Sequence, residues 1–196
     1  MSQTNYPNEA ALQAFLVNAK IVATAPEGVA MYVDGAVEEW ESKTGYTPFL
    51  GDSEDSTEYF DGTAPLRYLD LRGAYTSITS VHYGVTSDSD GTLGTLNSDY
   101  FLHYFKGAIV GIEFTGMISG NRTIKIVGKK GFCTELPSSV YRAILEKAAA
   151  DAMPMLTQVN DAKKIKQGPV EIEQGSSRDA AWQEKFECLA REYQRI

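Results

Sequence analysis

His82 and His103 are the two histidines of the chain, and each stands beside an aromatic residue, Tyr83 or Tyr104, in a stretch that alternates like a strand. Two imidazoles make a metal site only with carboxylate or thiolate help, and neither HxxxH nor HExxH spacing occurs. The plain alternative is a pair of sheet histidines whose ring nitrogens find neighbours. Carboxylates gather at Asp52, Glu54, Asp55 and Glu58, and again at Asp88 and Asp90 before Gly91. A glycosidase needs two carboxyls at a set separation across a sugar cleft. The first group lacks the central glycine and closing glutamate of a calcium loop, and solvated loop charge accounts for both groups. Gly128-Lys129-Lys130-Gly131 has lysines but neither the spaced first glycine nor the hydroxyl of a phosphate loop, so it reads as a tight connection. No GxSxG or GxGxxG occurs. Cys133 and Cys188, the only cysteines, are far apart with no CxxC, which suits small buried hydrophobes; a Cys–His pair stays open, with no spacing that selects it. The expectation is a protein with no catalytic, metal or cofactor residues, and so not an enzyme.

With 18 Lys plus Arg against 26 Asp plus Glu, the 196 residues carry a net charge of −8. That argues against gripping duplex DNA through a general basic surface, because phosphate affinity comes from clustered cations releasing counterions. The length suits one domain or a compact domain with an insertion. No stretch approaches the roughly 20 apolar residues of a membrane span, and Met1 to Glu9 lacks the order of a signal peptide. A cytosolic origin with no membrane contact is expected.

Whatever these side chains do, they must be held by elements the periodicity predicts. Asn8 to Ala23 places Leu12, Phe15, Leu16, Ala19 and Val22 on one helical face, with Asn8 as N-cap. Pro26 and Glu27 suit the first turn of a second helix carrying Val29, Val33, Ala36, Val37 and Trp40, which stops at Gly45. From Thr47 the helical period gives way to Gly, Ser, Thr, Asp and aromatic residues. Short strands are predicted at Arg67 to Leu71, Ser77 to Tyr83, Tyr100 to Tyr104, Ile109 to Phe114 and Arg122 to Val127, with turns such as Asp90-Gly91 and Ser119-Gly120-Asn121 between them. This spacing, without intervening helices, favours an antiparallel sheet or small barrel. A helix returns at Pro137-Ser138-Ser139 with Val140, Ile144, Leu145 and Ala148 on its stripe, and Pro154 should kink or end it. Asp161 to Gly175 reads as an extended arm with a possible edge strand at Val170 to Glu173. The fold class is α+β: a helical bundle of residues 1–46 and 137–160, a β insertion at 47–136, and a C-terminal arm and helix at 161–196.

Tyr59-Phe60, Tyr100-Phe101 and Tyr104-Phe105 each put adjacent rings on opposite faces of an extended segment. Either a partner covers the outward rings or a two-sided sandwich buries both. The last segment carries Trp182, Phe186, Leu189, Ala190 and Tyr193 on one stripe after a Lys-rich leash, as a helix tethered away from the core that docks in another chain's groove.

The order of weak motifs carries a resemblance. Trp40 with Thr44-Gly45-Tyr46, then Tyr59-Phe60-Asp61-Gly62, Leu69-Asp70-Leu71, Ile78-Thr79-Ser80-Val81, Asp99-Tyr100-Phe101-Leu102, Ile126-Val127-Gly128 with Gly131-Phe132, and Leu136-Pro137 before an Ala-rich helix together resemble the head-tail connector (adaptor, head-completion) proteins of tailed bacteriophages. The resemblance spans about Asn8 to Met155. It implies a structural virion protein of the neck, assembled in the host cytoplasm as a homo-oligomeric ring, a dodecamer, between the portal and the tail or next neck protein. Packaged DNA would pass through its lumen without tight binding, and no cofactor is implied. C-terminal segments of such adaptors grip the portal, which carries that role onto Lys163, Lys164, Lys166, Trp182, Phe186, Leu189 and Tyr193. The runner-up readings are another neck, tail-completion or fibre-attachment subunit, and a carboxylate-dependent hydrolase.

Overall fold

The computed structural model describes residues 5–160 and 174–194. In chain order these form α1 (Glu9–Asn18), α2 (Ala30–Thr44), β1 (Ser56–Tyr83), β2 (Thr92–Leu93), β3 (Tyr100–Phe105), β4 (Ala108–Lys130), α3 (Ser138–Asn160) and α4 (Gln174–Tyr193). The fold is α+β. The chain divides into two compact units, a helical one from the residues up to Gly45 and from Leu136 onward, and a sheet unit spanning Tyr46–Glu135.

In the helical unit, extended Asn8 caps α1 by accepting a hydrogen bond from the Ala11 N–H at 2.9 Å. The second helix begins at Ala30 and not at Pro26, because Gly28 is left-handed at φ 72° and no helix runs through it. Its start has no side-chain cap of its own; the Glu9 carboxylate of α1 accepts from the Gly28 and Val29 N–H groups at 3.1 and 3.2 Å. It ends as its sequence predicts, on left-handed Gly45, whose N–H donates to the Glu41 carbonyl at 2.9 Å. Exposed Pro154 does not stop α3, which continues past it to Asn160. Val140, Ile144, Ala148, Ala149 and Ala152 of α3 are buried beside Leu12 and Leu16 of α1 and Val33, Ala36 and Trp40 of α2.

The sheet unit is built on two long, bent strands. β1 runs antiparallel to β4 from Ser56 opposite Gly128 to Asp70 opposite Gly111. It passes between Ile109 and Lys130 of β4 at Tyr75 and returns along the other edge, Ser77 opposite Lys129 to Tyr83 opposite Ile124. Residues 124–128 of β4 therefore have β1 on both sides, and the sheet curls around Phe60, Leu71, Tyr75, Val81, Ile112, Phe114, Ile124 and Ile126. The separate strands expected at 67–71 and 77–83, and at 109–114 and 122–127, are each one strand. Register shifts absorb the bends, and Ser119-Gly120-Asn121 is a bend within β4, eased by left-handed Gly120 (φ 120°) and Arg122 (φ 50°). Lys129 and Lys130 lie in β4, not in a connecting loop. Gly131 (φ 128°) is needed where it stands, since a Cβ there would run into the Gly51 backbone.

Candidate interaction surface

Strand alternation sends one ring of each aromatic pair inward and leaves the other out. Phe60 and Tyr100 are buried in the sheet core, while their neighbours Tyr59 and Phe101 stay 39% and 43% exposed. Tyr104 is 62% exposed beside half-buried Phe105. The outward rings sit in a layout set by register. Glu113 of β4 lies between Tyr68 of β1 and Phe101 of β3, Ile112 between Leu69 and Leu102, and Gly111 between Asp70 and His103. Glu113 accepts from His103 Nε2 at 3.2 Å and pairs with Arg67 Nε at 3.5 Å. Tyr68, 45% exposed, lays its ring over Gly111, where a Cβ would overlap its hydroxyl, and meets the His103 ring edge-on at 5.1 Å. This outer face is aromatic with a charged centre.

Other candidates from the sequence are placed apart. Asp55 accepts from the Thr79 hydroxyl at 2.6 Å, and Glu58 accepts from Tyr75 Oη at 2.6 Å and from Lys130 Nζ. Burial first, then the neighbouring Glu58 carboxylate, holds the Tyr75 phenol above its usual range. Asp90 pairs with Lys125 at 2.8 Å, and that hydrogen bond holds its carboxyl below the usual range. Asp88 and Asp90 line a cleft of about 670 Å³ opposite Tyr59 and Arg122; the Arg122 guanidinium lies 4.9 Å from the centre of the Tyr59 ring, and its backbone N–H donates to Asp61 Oδ1 at 2.6 Å. His82 lies in β1 opposite Lys125, with its Nδ1 buried. Half-buried Cys133 has its thiol pushed up to about 11 by burial, and Cys188 is exposed on α4, so neither is the buried hydrophobe its sequence suggests. Among the described residues, no three His, Cys, Asp or Glu side chains gather as a metal site would require. None of the described helices is long and apolar enough to cross a membrane.

The C-terminal helix does not stand away from the body. Phe186 is fully buried, its ring edge-on to Trp40 of α2 at 5.6 Å; Tyr193 meets the same indole at 5.9 Å and Trp182 meets Phe15 of α1 at 5.7 Å. Leu189 is half-buried. The stripe read as seeking a foreign groove has one within its own unit, because α1 and α2 expose Phe15 and Trp40 that α3 alone does not cover. Ion pairs reinforce the seat: Lys185 donates to Glu146 of α3 at 2.6 Å and Lys43 pairs with Glu187 at 2.8 Å. Beneath them Lys147, 5% exposed, meets Asp151 at 2.6 Å and Glu39 at 2.9 Å. Burial works against its charge, but those two hydrogen bonds carry its pKa above the usual lysine value. Periodicity revealed the stripe; it held no signal for where the partner lay. Lys163, Lys164, Lys166 and the possible strand at 170–173 fall outside the described residues.

No protein-family model matches the sequence, and no curated protein does. Among solved structures, a chain from the neck of an empty GTA particle computed with C6 symmetry has a similar fold, with TM-score 0.50 and 16% identity over 93% of each chain. The two chains share this α+β architecture. A chain from the neck of a native GTA particle computed with C12 symmetry aligns with TM-score 0.45 and 16% identity, over 93% of this chain and 94% of that one. One from the virion of a native gene transfer agent particle gives 0.48 and 15%, over 93% of each. At 16% identity the likeness to the empty-particle neck chain speaks for the fold alone.

Proposed function

We propose that this chain is a structural subunit of the neck of a phage-like particle, forming a ring, a dodecamer, that joins the portal to the tail and continues the DNA channel. One observation carries the reading: the fold likeness to a GTA neck chain runs through both units and spans 93% of each chain, so it is more than a shared small motif. The outward rings of the sheet unit support it, since exposed aromatic surface of this kind is what neighbours in an assembly cover. A net charge of −8 suits a channel wall along which DNA slides without being held.

The partners of this reading are further copies of the chain, the portal, and the next neck or tail protein, within a virion. Lys163, Lys164 and Lys166 remain proposed portal contacts. Trp182, Phe186 and Tyr193 are engaged within the chain, so the portal role does not rest on them. The test is sedimentation with portal rings of the same particle: the chain should travel with the portal in a fixed ratio. A chain that never travels with it, at low or physiological salt, contradicts the reading.

A further inference from the structure

We propose that neighbouring copies of this chain join their sheets edge to edge, with β3 of one copy lying parallel to the first half of β1 in the next. This deepens the neck reading and rests on it for the ring; the edges themselves are read from the register.

Among the described residues, no further strand pairs with either of two edges of the sheet. β3 is the last strand of the sheet, and from Phe101 to Phe105 its ladder runs to β4 alone. Among the described residues, β1 at Leu66, Tyr68 and Leu69 takes its strand pairing from β4, and β2 reaches only His82 and Tyr83. An uncovered edge presents a row of backbone donors and acceptors that templates another strand. The edge at β3 lacks the usual defences: it is six residues long, contains no proline and carries its first lysine only after it ends.

Register decides what would meet. Three rows cross β1, β4 and β3: Tyr68–Glu113–Phe101, Leu69–Ile112–Leu102 and Asp70–Gly111–His103. Repeating this three-strand unit sideways sets Tyr68 beside Phe101 of the next copy, Leu69 beside its Leu102, and Asp70 beside its His103. Two outward rings would meet, two inward aliphatic side chains would extend one core surface, and an acid would face an imidazole. Each is a favourable neighbour pair in a sheet. A slip of one residue would set inward Leu69 beside outward Phe101 or His103 of the next copy and carry its aliphatic side chain to the outer face, so the alternation selects this register. The two surfaces differ, so the contact is head-to-tail and propagates, closing into a ring if the rotation closes.

The test uses the full chain with Cys188→Ser, Tyr68→Cys and Phe101→Cys, oxidised mildly and run without reductant, beside each single cysteine variant. Both sites are half exposed, so folding should survive, and circular dichroism checks it. Within one chain the introduced thiols flank β4 at about 9–10 Å, beyond the ~7 Å reach of a disulfide, so any bond between them joins two copies. Expected is a ladder of trimers and larger species from the double variant, with monomers from either single one. A product that stops at the dimer, also formed by Phe101→Cys alone, would mean two-fold β3 pairing and overturn the proposal. No cross-link in a chain that light scattering shows to be a large oligomer overturns the edge contact and leaves the neck reading standing. No cross-link from a chain that stays a monomer even with portal added overturns both.

Discussion

Replacing Phe186 by alanine tests the seat of the C-terminal helix. The side chain is fully buried with its ring 5.6 Å from Trp40. Emptying such a site costs about 3–5 kcal/mol, and about 0.5–1.5 kcal/mol of this class of loss is the edge-to-face pair itself. At a urea m-value of about 2 kcal/mol/M, the unfolding midpoint should fall by roughly 1.5–2.5 M. If the starting stability is near the low end of about 5–15 kcal/mol, only about 0–2 kcal/mol will remain, and at the larger loss about half of the helical unit will be unfolded before denaturant is added. The assay is selective, because both tryptophans, Trp40 and Trp182, lie in the helical unit and their fluorescence follows it alone. A change below about 0.5 kcal/mol is what a surface position gives; that result would refute the docked helix and restore the tethered one.

Gly111→Ala should destabilise the sheet unit by about 1–3 kcal/mol through overpacking against Tyr68, and in a Tyr68→Ala background most of that loss should vanish; equal losses in both backgrounds would contradict the contact. Lys147→Ala should cost about 2–4 kcal/mol by leaving Glu39 and Asp151 facing a buried gap, while Lys147→Met, which keeps the stem, should cost less, and denaturation curves by tryptophan fluorescence read both. Tyr75 and Lys147 both have raised pKa values, so their contributions are fully present below the ordinary values of 10.0 and 10.5 and are lost as pH climbs past them. Denaturant midpoints between pH 8 and 12 should therefore fall at the alkaline end, less steeply in Tyr75→Phe; an unchanged slope in that variant would contradict the role given to the phenol.

What the sequence disclosed depended on range. Local signals were readable: Asn8 as a cap, Gly45 as a stop, and the inward and outward rings at Tyr59-Phe60 and Tyr100-Phe101, because each is settled within a few residues. Length and continuity were not. Gly120 marks a turn to any local reading, yet the strand bends there and goes on, since β1 holds both sides of it through pairings some 60 residues away. The same limit hid the partner of Phe186. A stripe states that something must cover it, and only the fold reveals Trp40 waiting on α2. The Tyr68–Gly111–His103 layout was likewise invisible, because three strands set it and no motif spans them.

The mass of the purified chain in solution, by light scattering, tests the central claim most directly. A neck ring predicts a closed, monodisperse species near twelve times the 21.5 kDa of one chain. A species of one chain mass at every concentration, unchanged when portal is added, would contradict it.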